Sequence, residues 1–392
     1  MSAAPFIYII AGEPSGDFLG GRLMAALKER TGGHVRFAGI GGAAMAAQGL
    51  QSRVPIGELA VMGVAEVLPR AAKIFRIVRE TVADVLAQKP DAVVTIDSSG
   101  FTWRVAHGLR RRGARLPLIH YVAPMVWAWR AGRARRMARW YDHLMALLPF
   151  EPPYFAAVGL SCHYVGHPVV ESGADRGDGP AFRGRHDIAP EAKLLVLLPG
   201  SRAGEVGRLL PIFRAAVEHL AARYPGLVVA LPAPETVEDA VRASVRDFPA
   251  RAIVLAGGAE KYDAFAAADA ALAASGTVAL ELAMAKTPSV VAYRVNAWTH
   301  ALLKRIVKVR YANLVNLVLD RAAVPELLQD ECTPEKLAAA IACLLDDPAA
   351  RAAQAASCEA ALHALGYGAF SPGLRAADDV LAAIARATPR KE

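Results

Sequence analysis

Cysteine is scarce in this chain and carries no pattern. The four that occur, Cys162, Cys332, Cys343 and Cys358, show neither C-x-x-C nor zinc-ligand spacing, which argues against a disulfide scaffold or a zinc ribbon. They read as small core residues of a protein in a reducing cytoplasm. No apolar run has the length needed to span a bilayer. The stretch "MSAAPFIYII" has no basic region before its short apolar run, so it is expected to be a first strand and not a secretion signal. There is no D-x-D anywhere in the chain. No metal and no cofactor are therefore expected.

What is present is enough for two domains: 392 residues, 54% hydrophobic and 21% charged. The formal net charge of +8 points to an anionic partner. Nucleic acid ranks last among such partners, because no nucleic-acid-binding motif accompanies the basic residues. Short apolar runs alternate with helical patterns such as Phe18–Arg30 and Phe75–Gln88. In the first half the runs are Phe6–Ala11, Val35–Ile40, Ala92–Ile96, Leu118–Val122, Leu144–Leu148 and His163–Val165. Runs apolar throughout fit a parallel sheet covered on both faces. From Gly166 to Lys193 the texture turns to glycine, proline and charge, the signature of a linker. A second series follows at Leu194–Leu198, Leu227–Leu231, Ile253–Leu255, Ala270–Leu272 and Ser289–Ala292. The expectation is an α/β protein of two Rossmann-like, doubly wound parallel-sheet domains, residues 1–168 and 193–372, facing across a cleft. Residues 169–192 would link them, and a C-terminal helix within 373–392 would pack on either one.

Four stretches carry chemistry. "IIAGEPSGDF" is a strand, a glycine turn and a helix start, the usual seat of a phosphate, yet its turn holds Glu13, Ser15 and Asp17 and lacks the G-x-G-x-x-G spacing. Two carboxylates would repel a pyrophosphate. "LLVLLPGSRAGEV" brings Gly200, Ser201 and Arg202 to a helix start, which reads either as a diphosphate site or as a capped helix with a solvated arginine. In "AASGTVALELAMA", Ser275 is expected to cap a helix, with Gly276 and Thr277 beside it. Glu281 stands one turn on, where a carboxylate can accept both hydroxyls of a ribose. An unpartnered surface charge is the alternative, disfavoured by its apolar neighbours. In "AVVTIDSSGF", Asp97 ends a buried strand, placed either as a general base or as the N-cap of the next helix.

Together with "YVAPMVWAWRAGR", "LPFEPPYF", "VGHPVVE", "SVVAYR" and "LLQDECTPEKLAAA", these stretches occur in an order that resembles the lipid-A-disaccharide synthases over nearly the whole chain. The resemblance implies a GT-B glycosyltransferase that joins UDP-2,3-diacylglucosamine to 2,3-diacylglucosamine 1-phosphate with inversion. It implies that the C-terminal domain binds the donor and that the first turn, with Glu13, Ser15 and Asp17, meets the acceptor sugar or orders the loop. Asp97 matches the family's catalytic aspartate, and Asn316 matches an asparagine that contacts donor phosphate or sugar. It also implies a homodimer built through exchanged C-terminal helices, on the cytoplasmic face of the inner membrane. Two positions depart from the family pattern I-D-x-P-D-F: Ser99 and Gly100 replace its proline and second aspartate. In the asparagine motif Val315 stands where proline is usual. A UDP-sugar 2-epimerase, similar on the donor side, is the rival of another reaction class. It would need no acylated acceptor.

Amphiphilic substrates require a surface that meets lipid. "VMGVAEVLPRAAKIFRIVRE" interleaves Arg70, Lys73 and Arg76 with Phe75 and other apolar residues, as an interfacial helix does; an ordinary amphipathic helix is the alternative. "VWAWRAGRARRMARWYD" sets Arg130 and Arg133 among tryptophans, a candidate contact for headgroups or for the acceptor's phosphate. "LLKRIVKVRY" supplies a third basic stretch.

Overall fold

The computed structural model describes residues 4–59, 64–128, 132–257, 260–296 and 309–387, with residues 64–71 given by their backbone alone. The chain forms two compact units. One comprises the residues up to Pro168 together with those from Gly368 onward, and the other is Val169–Tyr367.

In the first unit β1 (Phe6–Ala11), β2 (Arg36–Ile40), β3 (Ala92–Ile96), β4 (Leu118–Tyr121), β5 (His143–Ala146) and β6 (Ser161–Tyr164) form one parallel sheet in the order 2-1-3-4-5-6. Its strands are apolar throughout because each face has its own core. Tyr8 and Ile10 point into one cluster, while Ile7, Ile9 and Ala11 point into the other. In the second unit β7 (Leu194–Leu198), β8 (Val228–Ala233), β9 (Arg251–Ala256), β10 (Ala270–Ala274), β11 (Ser289–Tyr293) and β12 (Glu326–Leu328) run parallel in the order 12-11-10-7-8-9. Counted from β7, that is the 3-2-1-4-5-6 order of dinucleotide-binding sheets. Both units are thus Rossmann-like and doubly wound, as in the GT-B fold. In each sheet the strand order reverses once, between β1 and β3 and between β7 and β10. Ligands of such sheets settle in the crevice that the diverging loops leave there.

Several boundaries differ from the sequence reading. The first helix begins at Pro14, not Phe18: proline suits the first helical turn, so the glycine turn is already helix. Strand β4 stops at Tyr121 because Val122 takes φ 76°, a conformation β-branched residues avoid. The helix expected from Phe75 starts at Val64. β12 has no counterpart in the sequence reading, since a three-residue "ELL" shows no periodicity.

Residues 169–192 form no spacer. They carry the helix Gly179–Arg185, capped by Asp178, whose carboxylate accepts the Ala181 N–H at 2.9 Å. Phe182 and Ile188 lie buried in the core of the second unit. The glycines, prolines and charges read as a linker serve caps and ion pairs instead, such as Arg185 with Asp263 at 2.6 Å.

The C-terminal helix, Pro372–Ala387, belongs to the first unit. Ala376, Ala377, Val380 and Ala383 pack on the β1–β3 face. Arg30 pairs with Asp378 at 2.7 Å. The Asp379 carboxylate bonds His163 Nδ1 at 2.6 Å and His143 Nε2. Burial raises the Asp379 pKa, but these bonds outweigh it and hold the carboxyl below its usual range.

Candidate functional site

The crevice of the first sheet is built by two turns that nearly touch. Gly12 closes β1, and a Cβ placed on it would stand 2.5 Å from Ser98 Oγ and 2.8 Å from Ser98 Cβ. Only a glycine admits this approach. On the other side Asp97 and Ser98 both adopt left-handed conformations, with φ 46° and 43°. Each costs on the order of 1 kcal/mol in a non-glycine residue. Strain of this kind survives only where its surroundings over-determine it. Here the Asp97 N–H donates to Tyr121 O at 3.0 Å, and the Thr102 hydroxyl donates to Asp97 O at 2.8 Å. Beneath the turn, Thr95 Oγ1 lies 2.8 Å from His120 Nδ1 and 3.1 Å from the Tyr141 hydroxyl. His120 is fully buried, and burial pushes its pKa down to about 3, so this strut stays uncharged at working pH.

Asp97 itself is half-buried. Burial lifts its carboxyl above the usual aspartate range, and the Ser98 N–H offsets that only in part. A carboxylate of raised basicity at the carboxyl end of a central strand is equipped to take a proton. The N-cap alternative does not describe it: the helix Ser99–Arg111 has Ser98 at its cap position, with no side-chain cap bond.

The acidic turn divides by role. Asp17 is buried, and its oxygens accept the N–H groups of Gly42 (2.6 Å), Ala44 (2.9 Å) and Met45 (3.1 Å), which ties the first helix to the loop after β2. Its hydrogen-bonding capacity is thus committed to the loop. Glu13 sits half-buried at the helix N-cap position, and Ser15 is exposed.

The crevice of the second sheet is a cavity of about 470 Å³ between the ends of β7 and β10. Gly200, Ser201 and Arg202 line one wall; Ser275, Gly276, Thr277 and Glu281 line the other. Gly200 has φ 120°, and a Cβ there would meet Glu205 Cβ at 2.6 Å. Glu205 also lines the cavity, where its carboxylate accepts the Ser201 N–H at 3.3 Å and Arg202 Nη1 at 3.2 Å. Glu281 is not an isolated charge: Lys261 Nζ donates to its two oxygens at 3.0 and 2.9 Å, and the Tyr262 hydroxyl donates at 3.1 Å. Lys261 lines the cavity as well.

Two expectations need correction. Ser275 does not cap the helix after β10; its hydroxyl donates to Ala312 O at 3.1 Å, and Thr277 holds the cap position without a side-chain bond. Asn316 does not line the cavity. Its Nδ2 donates to Val324 O (2.8 Å) and Glu326 Oε1 (2.6 Å), and its Oδ1 accepts the N–H groups of Ala323 and Val324, both at 2.8 Å. At 1% exposure and with every polar atom engaged, it shapes the loop before β12 and has no bond left for a ligand.

Of the lipid-facing candidates, Arg130 lies outside the described residues, as does most of the third basic stretch, and Arg70 is described by backbone only. Phe75 is 58% exposed, with Lys73 paired to Glu58 at 3.1 Å and Arg76 facing Glu80 at 3.8 Å. Ile77 and Val78 of the same helix are buried in the core, so among the described residues Phe75 is the one large apolar side chain that this helix exposes. Arg133 stacks over Trp103, 5.1 Å from the ring centroid. Sequence reasoning missed Lys261, Tyr262, Glu205 and Trp103. "EVGR" four residues after Ser201 was the one local signal among them.

The chain resembles known proteins over its full architecture. A sequence profile of the family "Lipid-A-disaccharide synthetase" matches residues 7–371. The lipid-A-disaccharide synthase of Rhodospirillum centenum is 58% identical over 380 residues, covering 97% of this chain and 95% of that protein. That of Paramagnetospirillum magneticum is 55% identical over 377 residues, 96% of each. Among solved structures, a glycosyltransferase from Rickettsia africae superposes with a TM-score of 0.62 at 8% identity, covering 99% of each chain. The UDP-GlcNAc 2-epimerase of Neisseria meningitidis, bound to UDP-GlcNAc, gives 0.60 at 10% identity over 97% of this chain and 100% of that one. At such identities the structures speak for the fold alone, whereas the profile and the sequence relatives place this chain in the lipid-A-disaccharide synthetase family.

Proposed function

We propose that this chain transfers the diacylglucosaminyl group of UDP-2,3-diacylglucosamine to the 6-hydroxyl of 2,3-diacylglucosamine 1-phosphate, giving a β-1,6-linked disaccharide 1-phosphate and UDP. The observation that carries the residue-level reading is Asp97, a strained, half-buried carboxylate of raised pKa at the switch point of the first sheet. As the acceptor oxygen bonds to the anomeric carbon, the bond from that carbon to the diphosphate breaks on the opposite face. Asp97 takes the hydroxyl proton, and UDP leaves with the electron pair. Glu13 and Ser15 accept or donate hydrogen bonds to the acceptor sugar, while Asp17 orders their loop.

On the donor side the diphosphate displaces the Glu205 carboxylate and takes over its donors, the Ser201 N–H and the Arg202 guanidinium. Gly200, Ser275, Gly276 and Thr277 let it approach the backbone. Glu281, oriented by Lys261 and Tyr262, accepts the ribose hydroxyls. No metal is needed, because the leaving group's charge is met by the guanidinium and backbone N–H groups.

No helix among the described residues is long and apolar enough to cross a membrane. We place the protein in the cytoplasm, resting on the inner membrane through Phe75 with Lys73, Arg76 and Arg70, and through Arg130. A homodimer exchanging C-terminal helices would form the Asp379 contacts between chains instead of within one.

The test is UDP release from UDP-2,3-diacylglucosamine with and without the 1-phosphate acceptor. Release should require the acceptor and fall about 10²- to 10⁴-fold in Asp97→Asn, with UDP affinity unchanged. Activity on UDP-N-acetylglucosamine alone would instead support the epimerase.

A further inference from the structure

Two and three residues beyond Asp97, Ser99 and Gly100 open onto a second cavity of about 600 Å³ in the first unit. Its other walls are Trp103 and Arg104 of the helix Ser99–Arg111, and Arg133 and Arg136 of the helix Gly132–Met137. Three guanidinium groups therefore share this space, and among the described residues no aspartate or glutamate lines it. In the nucleotide cavity, by contrast, Glu205 and Glu281 line the walls beside Arg202 and Lys261.

Two details say what kind of group it takes. Arg104 Nη1 donates to Gly100 O, so one guanidinium is anchored on the turn that follows the base. The Arg133 guanidinium carbon lies 5.1 Å from the Trp103 ring centroid. Guanidinium donors that share one space match a compact, multiply charged oxyanion, with three or more acceptor oxygens.

We propose that this cavity binds the acceptor's phosphomonoester, with Arg104 and Arg136 as the residues that select a phosphorylated acceptor. The inference rests on the acceptor assigned above. In that acceptor the phosphate is on the same hexose ring as the attacking hydroxyl, so its site must lie close to the base. Three residues of chain reach at most about 11 Å, which keeps the mouth of the cavity within one sugar of Asp97. Membrane headgroups carry the same phosphate chemistry, but nothing ties them to the base.

The experiment compares 2,3-diacylglucosamine 1-phosphate with 2,3-diacylglucosamine as acceptors for the wild type, Arg104→Gln, Arg136→Gln and the double variant. In parallel it measures binding of soluble glucosamine 1-phosphate by ³¹P NMR and sedimentation with anionic or neutral phosphatidylcholine-based vesicles. The double variant should raise KM for the phosphorylated acceptor about 10- to 100-fold, leave the unphosphorylated one within about twofold, and lose glucosamine 1-phosphate binding. Arg→Lys versions should restore part of the preference. UDP affinity and melting temperature should not change, since both arginines are exposed. Equal losses on both acceptors, or an unchanged preference with lost sedimentation on anionic vesicles, would overturn the proposal. If the wild type releases no UDP with either acceptor but binds glucosamine 1-phosphate through these arginines, the reaction assigned above fails and the phosphate site stands. No binding by the wild type sinks the site whatever the activity.

Discussion

The contact between Gly12 and Ser98 makes a demanding test, because it should transmit a methyl group on β1 to the carboxylate on β3. Alanine at position 12 would put its Cβ 2.5 Å from Ser98 Oγ and 2.8 Å from Ser98 Cβ. The hydroxyl can rotate away. The Cβ cannot move unless the backbone at φ 43° moves too, and Asp97 is the next residue along that backbone. Overpacking of this kind costs about 1–3 kcal/mol. In a unit of this size that lowers the melting transition by roughly 2–4 °C per kcal/mol. Ser98→Gly removes the obstructing atoms and suits the left-handed backbone, though it loosens the unfolded chain; alone it should be near neutral. The double variant Gly12→Ala/Ser98→Gly should regain most of the stability and turnover lost in Gly12→Ala, a coupling of about 1 kcal/mol or more. Calorimetry and UDP release measure both, with UDP affinity as a control read from the other unit. Additive effects, with a coupling below about 0.5 kcal/mol, would refute the idea that this approach holds the Asp97 turn.

The raised Asp97 pKa sets the acid side of the pH profile. Burial penalises the ionised form, so the base is lost as pH falls through a value above the usual one near 4, and the acid limb of kcat/KM should lie there and be absent in Asp97→Asn. Glu281→Gln should weaken UDP binding about 10- to 100-fold by calorimetry, while thermal stability drops by less than about 1 kcal/mol because its pair with Lys261 is partly exposed. Asp379→Asn should destabilise the first unit by about 1–3 kcal/mol near neutral pH. The wild-type Asp379 is held below its ordinary pKa, so its advantage is complete above about pH 4 and shrinks as acid protonates the folded carboxyl. Melting curves of the two proteins that stay equally far apart down to pH 2 would contradict the role given to the Asp379 carboxylate.

What was legible in the sequence follows the range of the interactions. Phe6–Ala11, Ala92–Ile96 and Leu194–Leu198 emerge as strands with the bounds read from their apolar runs, because burial on both faces leaves a continuous signal. The place of Asp97 at the end of β3 was legible because its strand and its turn are both local. Asn316 misled for the converse reason: a polar residue in an apolar helix marks a buried partner, and sequence does not say whether that partner is a ligand or, as here, the loop at Val324 and Glu326. Lys261 was invisible as the partner of Glu281 because they meet only when the helix after β9 comes beside the helix after β10. The docking of the last helix depends on Asp379 finding a histidine 236 residues earlier, which no periodicity encodes.

The two crevices answer opposite electrostatic demands on one architecture, and that accounts for the acidic turn after β1. A diphosphate needs N–H groups and cations, which Ser201 and Arg202 would bring to the end of β7 once Glu205 yields them. A base needs the reverse. A guanidinium against Asp97 would lower its pKa and weaken it as a proton acceptor. Among the described residues the influences acting on Asp97 are burial and the Ser98 N–H, with no cation, although Arg104 and Arg136 line the cavity just beyond Gly100. Glu13 and Pro14 keep the neighbouring helix start from serving as an anion seat: one is a carboxylate at the cap position, and the other has no N–H to give. On the proposed reading the first unit keeps positive charge off the base and lets it begin at Arg104, seven residues later, where a phosphate on the acceptor would use it without quenching the carboxylate that activates the hydroxyl.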